Sequence, residues 1–73
     1  MVRLPVVSGA AAIKAFSRAG WRAVRQSGSH VILVKEGMDV TLSVPVHATV
    51  KRGLLRRLLR DARMTVEEFV EQL

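Results

Sequence analysis

A chain of 73 residues with no cysteine, 49% apolar, and with 12 Lys or Arg against 6 Asp or Glu has room for one small domain. That excludes a large multidomain enzyme, a disulfide framework, a cysteine-ligated metal centre and a thiol nucleophile. The net charge of +6, with arginines making up most of the cations, points to a polyanionic partner.

The opening Met1–Val7 carries one charge and an interrupting proline, which is too short and too broken for a signal-peptide core. No apolar run approaches the roughly 20 residues of a membrane span, so the expectation is a cytoplasmic protein. Ser8 then precedes Gly9-Ala-Ala-Ala-Ile-Lys-Ala-Phe16, a run of good helix formers, and its hydroxyl is the predicted N-cap. Ala12, Ile13, Phe16 and Ala19 share one face at spacings of three and four, and Gly20 supplies a left-handed stop, which predicts a helix over 9–19.

Trp21–Gln26, the turn pair Ser27-Gly28 and His30–Lys35 read as two strands of a hairpin. Trp21, at the junction of helix and strand, reads as a core residue rather than a base-stacking platform. The run Val31–Val34 is apolar on both faces, so alternation does not show which way His30 points. Glu36–Asp39 is a second turn. Val40–Val44 alternates as a third strand, with Val40, Leu42 and Val44 inward, and Pro45 ends it.

From Gly53 to Arg63 a second helix is predicted, with Leu54, Leu55, Leu58, Leu59 and Ala62 on one stripe and Arg52, Arg56, Arg60 and Arg63 opposite. Five cations and no acid fall between Lys51 and Arg60, a like-charged run that suits a polyanion. Thr65 and Glu68 form a capping box that opens a last short helix to about 72, anchored by Phe69 and Val70. The order α-β-β-β-α-α predicts an α+β fold: one domain over 1–73, with a three-stranded antiparallel meander covered on one face by helices.

Two histidines without acids at a helical or hairpin spacing do not make a metal centre, and no phosphate-binding glycine loop is present. Neither metal nor other cofactor is expected. His30, two residues past a turn glycine and with cations nearby, has the parts of a metal-free ribonuclease: imidazole moves a proton near neutral pH while cations hold phosphate. On spacing alone the favoured reading is a strand-end histidine without a role. His47, after Val44-Pro-Val, reads as structural, at the exit of the third strand.

Taken together, Leu4-Pro-Val-Val-Ser-Gly9, Gly20-Trp21, Arg25-Gln-Ser-Gly-Ser-His30, Val44-Pro-Val-His47, Gly53-Leu-Leu-Arg56 and Glu67-Glu-Phe69 resemble the HicA-type mRNA interferase toxins of toxin–antitoxin systems. The resemblance implies a fold like a double-stranded-RNA-binding domain. It also implies cleavage of mRNA by the histidine of the Gly-Ser-His element, here His30, with Gly28 and Ser29 as its turn and flanking polar positions. His47 falls on a recurrent position whose role stays open. Leu54 departs from the pattern, since a threonine is common there and would offer a cap. A HicB-type antitoxin covering the active surface is the implied protein partner.

The function expected is thus a toxin acting as a metal-independent endoribonuclease. His30 is its general acid or base, and Arg22, Arg25, Lys35, Lys51 and Arg52 are candidate RNA contacts. A non-catalytic RNA-binding module of the same fold is the alternative, since such a fold can read A-form duplex through shape, phosphate and 2′-hydroxyl contacts. A third reading is a basic interaction protein for an acidic partner.

Overall fold

Small, strong helix formers behind a serine make α1, Gly9–Arg18, in the computed structural model, which describes residues 3–73. Ser8 Oγ accepts the Ala11 N–H at 3.1 Å, which satisfies one of the free donors of the first turn. At the other end Ala19 is the cap and Gly20 takes a left-handed φ of 102°. That conformation lets Gly20 N–H donate to Ser17 O at 3.1 Å and Trp21 N–H to Phe16 O at 3.0 Å, the paired bonds of a glycine-stopped helix.

Three strands follow, β1 Arg22–Ser27, β2 His30–Val34 and β3 Leu42–Pro45, joined antiparallel in the order β1-β2-β3. Ser27 pairs with His30 across a two-residue loop in which Gly28 has φ of 61°. Positive φ at the first loop position is the tight hairpin geometry that suits right-twisted strands, and glycine adopts it without a Cβ clash.

The third strand differs from its predicted limits. It starts at Leu42, and Val40 is exposed in the connection rather than inward. Pairing between β2 and β3 runs only from His30↔Pro45 to Leu33↔Leu42, so Val40 lies beyond the ladder. Met38 is the residue of that connection that packs against the core, above a turn closed by Met38 N–H to Lys35 O at 3.1 Å. Pro45 is the last residue of β3, and having no N–H it cannot extend the ladder.

Helix α2, Arg52–Ala62, begins one residue before Gly53, behind Lys51, whose side chain makes no capping bond. Position 54 is therefore inside the helix, where a hydroxyl would not cap, and the leucine there is half-buried against the core instead. The helix closes on Arg63, held in the left-handed region at φ 57° and ψ 41°. Thr65 and Glu68 form the expected capping box of α3, Val66–Glu71, with Thr65 N–H donating to Glu68 Oε1 at 2.8 Å and Glu68 N–H to Thr65 Oγ1 at 3.0 Å. Of the two expected anchors of α3, Phe69 is fully buried and Val70 only half-buried.

The core joins Phe16 of α1, Leu33 of β2, Leu42 and Val44 of β3, Leu55 of α2 and Phe69 of α3, and no polar or charged residue is buried among the described residues. Phe16 and Phe69 meet with ring centroids 5.2 Å apart and planes tilted by 49°. Trp21 is buried as a core residue, although its indole N–H finds no acceptor among the described residues. Leu33, Leu42 and Val44 turn one face of the sheet to this core. The result is the α+β arrangement of a double-stranded-RNA-binding-like domain, a three-stranded antiparallel sheet with helices on one side.

Gly9 marks a close backbone approach. A Cβ there would run into the Pro45 carbonyl and the Val46 Cα, whereas a Cβ at Gly53, in the first turn of α2, would meet nothing. Gly9→Ala is expected to lower stability by about 1–3 kcal/mol, the usual cost of overpacking. Gly53→Ala should raise it by about 0.4–1 kcal/mol by restricting the unfolded chain. Denaturant melts of the two variants check this, and shifts of the same sign would contradict it.

Candidate active site

His30 is the first residue of β2, and the register settles its facing. Leu33 is fully buried and Val31 packs against the core, so the alternate residues His30, Ile32 and Val34 point to the face the helices leave open. His30 itself is exposed. Gly28 and Ser29 form the loop before it, and Ser29 O accepts the Val46 N–H at 2.6 Å, tying that loop to the chain leaving β3.

A bulge in β1 decides where the two nearest arginines lie. Arg22 pairs with Val34 and Arg25 with Ile32, while the register shifts between Ala23 and Arg25 and leaves Val24 over. Regular alternation would put residues three apart on opposite faces. The extra residue puts both Arg22 and Arg25 on the open face that carries His30. Arg25 is the closer, since its partner Ile32 lies two residues along β2 from His30.

The other candidate contacts are more scattered. Lys35 follows the far end of β2, about 16 Å from His30 at the rise of a strand, with its stem laid over Gly20. Arg22 is also toward that end. Lys51 and Arg52 are exposed where α2 begins, on the connection that carries His47. Arg56, Arg57 and Arg60 continue the exposed positive stripe along α2.

His47 is the residue that sequence reasoning placed least well. Its imidazole stands beside that of His30, with ring centroids 6.4 Å apart and planes at 65°, and both residues are exposed. The backbone around it is held at three points. Val46 N–H donates to Ser29 O, Gly9 N–H to His47 O at 2.8 Å, and Val50 N–H to Val7 O at 2.8 Å. The signal that could have found it is the β2–β3 register: once His30 opposes Pro45, a histidine two residues later falls near the same end of the sheet.

This arrangement offers two imidazoles, each with ring nitrogens that can donate or accept a hydrogen bond, on a face shared with guanidiniums that match phosphate. Among the described residues no three His, Asp or Glu side chains gather as a metal would require, and no helix is long and apolar enough to cross a membrane.

A family model described as the HicA toxin of bacterial toxin–antitoxin matches residues 9–64. That span holds α1, the whole sheet, α2 and both histidines. It leaves Leu4–Ser8 and the Glu67–Phe69 segment of α3 outside. No curated protein matches the chain.

Proposed function

The chain belongs to the HicA toxin family of toxin–antitoxin systems, and on that premise we propose that it is an endoribonuclease that cleaves messenger RNA in the cytoplasm without a metal. Residues 1–73 form one toxin domain, and His30 is its general acid or base. The observation that carries this reading is the exposed His30 ring on the uncovered sheet face, with Arg25 on the same face two positions along the ladder.

In the reaction a base removes the proton of a 2′-hydroxyl, and that oxygen attacks the adjacent phosphorus. The bond from phosphorus to the 5′-oxygen breaks, leaving a 2′,3′-cyclic phosphate and a 5′-hydroxyl. Arg25 and, from the connection into α2, Lys51 and Arg52 hold the phosphate and neutralise charge as it builds up. Arg22 and Lys35 lie farther along the sheet, where they contact RNA on either side of the scissile bond. A basic toxin of this kind is neutralised by a HicB-type antitoxin of opposite charge that covers the open face.

Labelled RNA incubated with the full chain in a metal chelator tests the proposal. Fragments ending in cyclic phosphate are expected. A salt-sensitive mobility shift without fragments would favour a non-catalytic RNA-binding module. Tight binding of an acidic partner with no RNA affinity at low salt would favour a pure interaction protein. If Arg25 contacts a phosphate, Arg25→Gln should reduce the slope of log affinity against log salt by about 0.7, the single-strand value per phosphate. An unchanged slope would remove Arg25 from the contact set.

A further inference from the structure

We infer that His47 is the second proton-transfer group of this site, paired with His30 so that one imidazole accepts the 2′-hydroxyl proton and the other supplies a proton to the leaving 5′-oxygen. The inference rests on the ribonuclease reading above and adds to it the residue that completes the proton inventory. In an in-line displacement at phosphorus the entering and leaving oxygens lie on opposite sides of the reacting atom. One ring at one position does not reach both in the same transition state, so the site needs two groups.

The geometry supplies them. The two rings are 6.4 Å apart between centroids, near enough for both to approach different oxygens of one phosphoryl group, each at hydrogen-bond reach. Both rings are exposed, so substrate reaches them without any rearrangement of the core. His47 is not a loosely tethered surface residue. The bonds from Val46 to Ser29 and from Gly9 to His47 lock its backbone to the loop that presents His30 and to the start of α1.

Other residues do not fill the role. Glu36 and Asp39 belong to the 35–41 connection, at the opposite end of β2 from His30, and Asp61 lies in the last turn of α2. The guanidiniums of Arg25 and Arg52 have only donors and no acceptor atom to take up the 2′-hydroxyl proton. Ser27 and Ser29 carry hydroxyls that do not titrate near neutral pH.

In the step as written, the 2′-oxygen-to-phosphorus bond forms as the phosphorus-to-5′-oxygen bond breaks. One proton leaves the 2′-hydroxyl for a neutral imidazole, and one passes from an imidazolium to the 5′-oxygen. Charge and electrons balance without a co-reactant. The pair ends with its protonation states exchanged, and solvent resets it.

The test compares wild type, His30→Ala, His47→Ala and His47→Gln as full-length chains in chelator. The substrates are an oligoribonucleotide and a nucleoside 3′-(4-nitrophenyl phosphate), whose aryl leaving group departs without a proton. His47→Ala and His47→Gln should each lower RNA cleavage at least about tenfold, water replacing the lost group only in part, and the bell-shaped pH profile of the wild type should lose one limb. The nitrophenyl ester should restore near-wild-type turnover to one of the two alanine variants, the one lacking the acid, and not to the other.

An unchanged bell in His47→Ala, full activity in His47→Gln, or equal losses on both substrates with both limbs intact would overturn the assignment while leaving the ribonuclease reading in place. Loss of wild-type cleavage on adding chelator would overturn it in favour of a metal held between the rings. A wild type that cleaves neither substrate, with chelator or without it, would end the ribonuclease reading itself and the assignment with it.

Discussion

His30→Ala is expected to lower the single-turnover cleavage rate of RNA by about 100-fold or more, since a positioned acid or base contributes roughly 10²–10⁴ to such a step. In barrier terms a 100-fold loss is about 2.7 kcal/mol. The loss should come without loss of fold. His30 is exposed on the open face, so removing its ring leaves no cavity, and its pairing with Ser27 and Pro45 is made by the backbone. Surface replacements of this sort usually stay within about 0.5 kcal/mol in stability. RNA retention should also persist, because Arg25, Lys51 and Arg52 are untouched. Rates measured in chelator, beside a thermal melt and a gel-shift titration, separate these effects. Cleavage equal to wild type would remove His30 from the chemistry, and a collapsed melt would show instead that the ring supports the fold.

The largest stability effect is expected at Phe69. It is fully buried, it is the one buried residue of α3, and its ring packs at a tilt against that of Phe16 across the α1–α3 contact. A six-residue helix does not persist alone, so α3 exists only while docked. Phe69→Ala should cost about 3–5 kcal/mol, which is a large part of the roughly 4–11 kcal/mol that a chain of this length has. The melting temperature should fall by roughly 12–40 °C. The bond from the Arg18 guanidinium to Gln72 O, 2.9 Å, is exposed and does not compensate. A fall of only a few degrees would mean that α3 contributes little to folding. Combining the change with Phe16→Ala in a double-mutant cycle should give a coupling of about 0.5–1.5 kcal/mol from the ring pair.

Much of the scaffold was legible because local chemistry and tertiary structure agree. Ser8, Gly20, Gly28 and the Thr65–Glu68 box each do in the fold what their residue types favour in isolation. Leu55, Leu58, Leu59 and Ala62 of the α2 stripe are buried as its periodicity requires, with Leu54 half-buried at its edge. What the sequence left open or misplaced lies mostly where non-local pairing decides. Ile32 and Val34 are apolar on the uncovered face, so the pattern of β2 concealed the direction of His30. Val40 continued the alternation of β3, yet no partner on β2 extends that far. The end of α2 at Arg63 falls where the leucine periodicity stops, although the residue there adopts a conformation normally left to glycine. The proximity of His47 to His30 spans 17 positions and depends on the β2–β3 register together with the bonds that pin the chain after Pro45.

The extra residue at Val24 has an effect on the outer flank of β1 as well as on its arginines. Among the described residues β1 has no neighbour on its far side, and every residue in it is exposed. An unpaired row of amides and carbonyls of that kind invites a strand from another molecule, and a break in its regular spacing, reinforced by Arg22 and Arg25, makes it a poor template. The kink that gathers positive charge on one side of the ribbon thereby also guards the molecule against sheet-to-sheet aggregation.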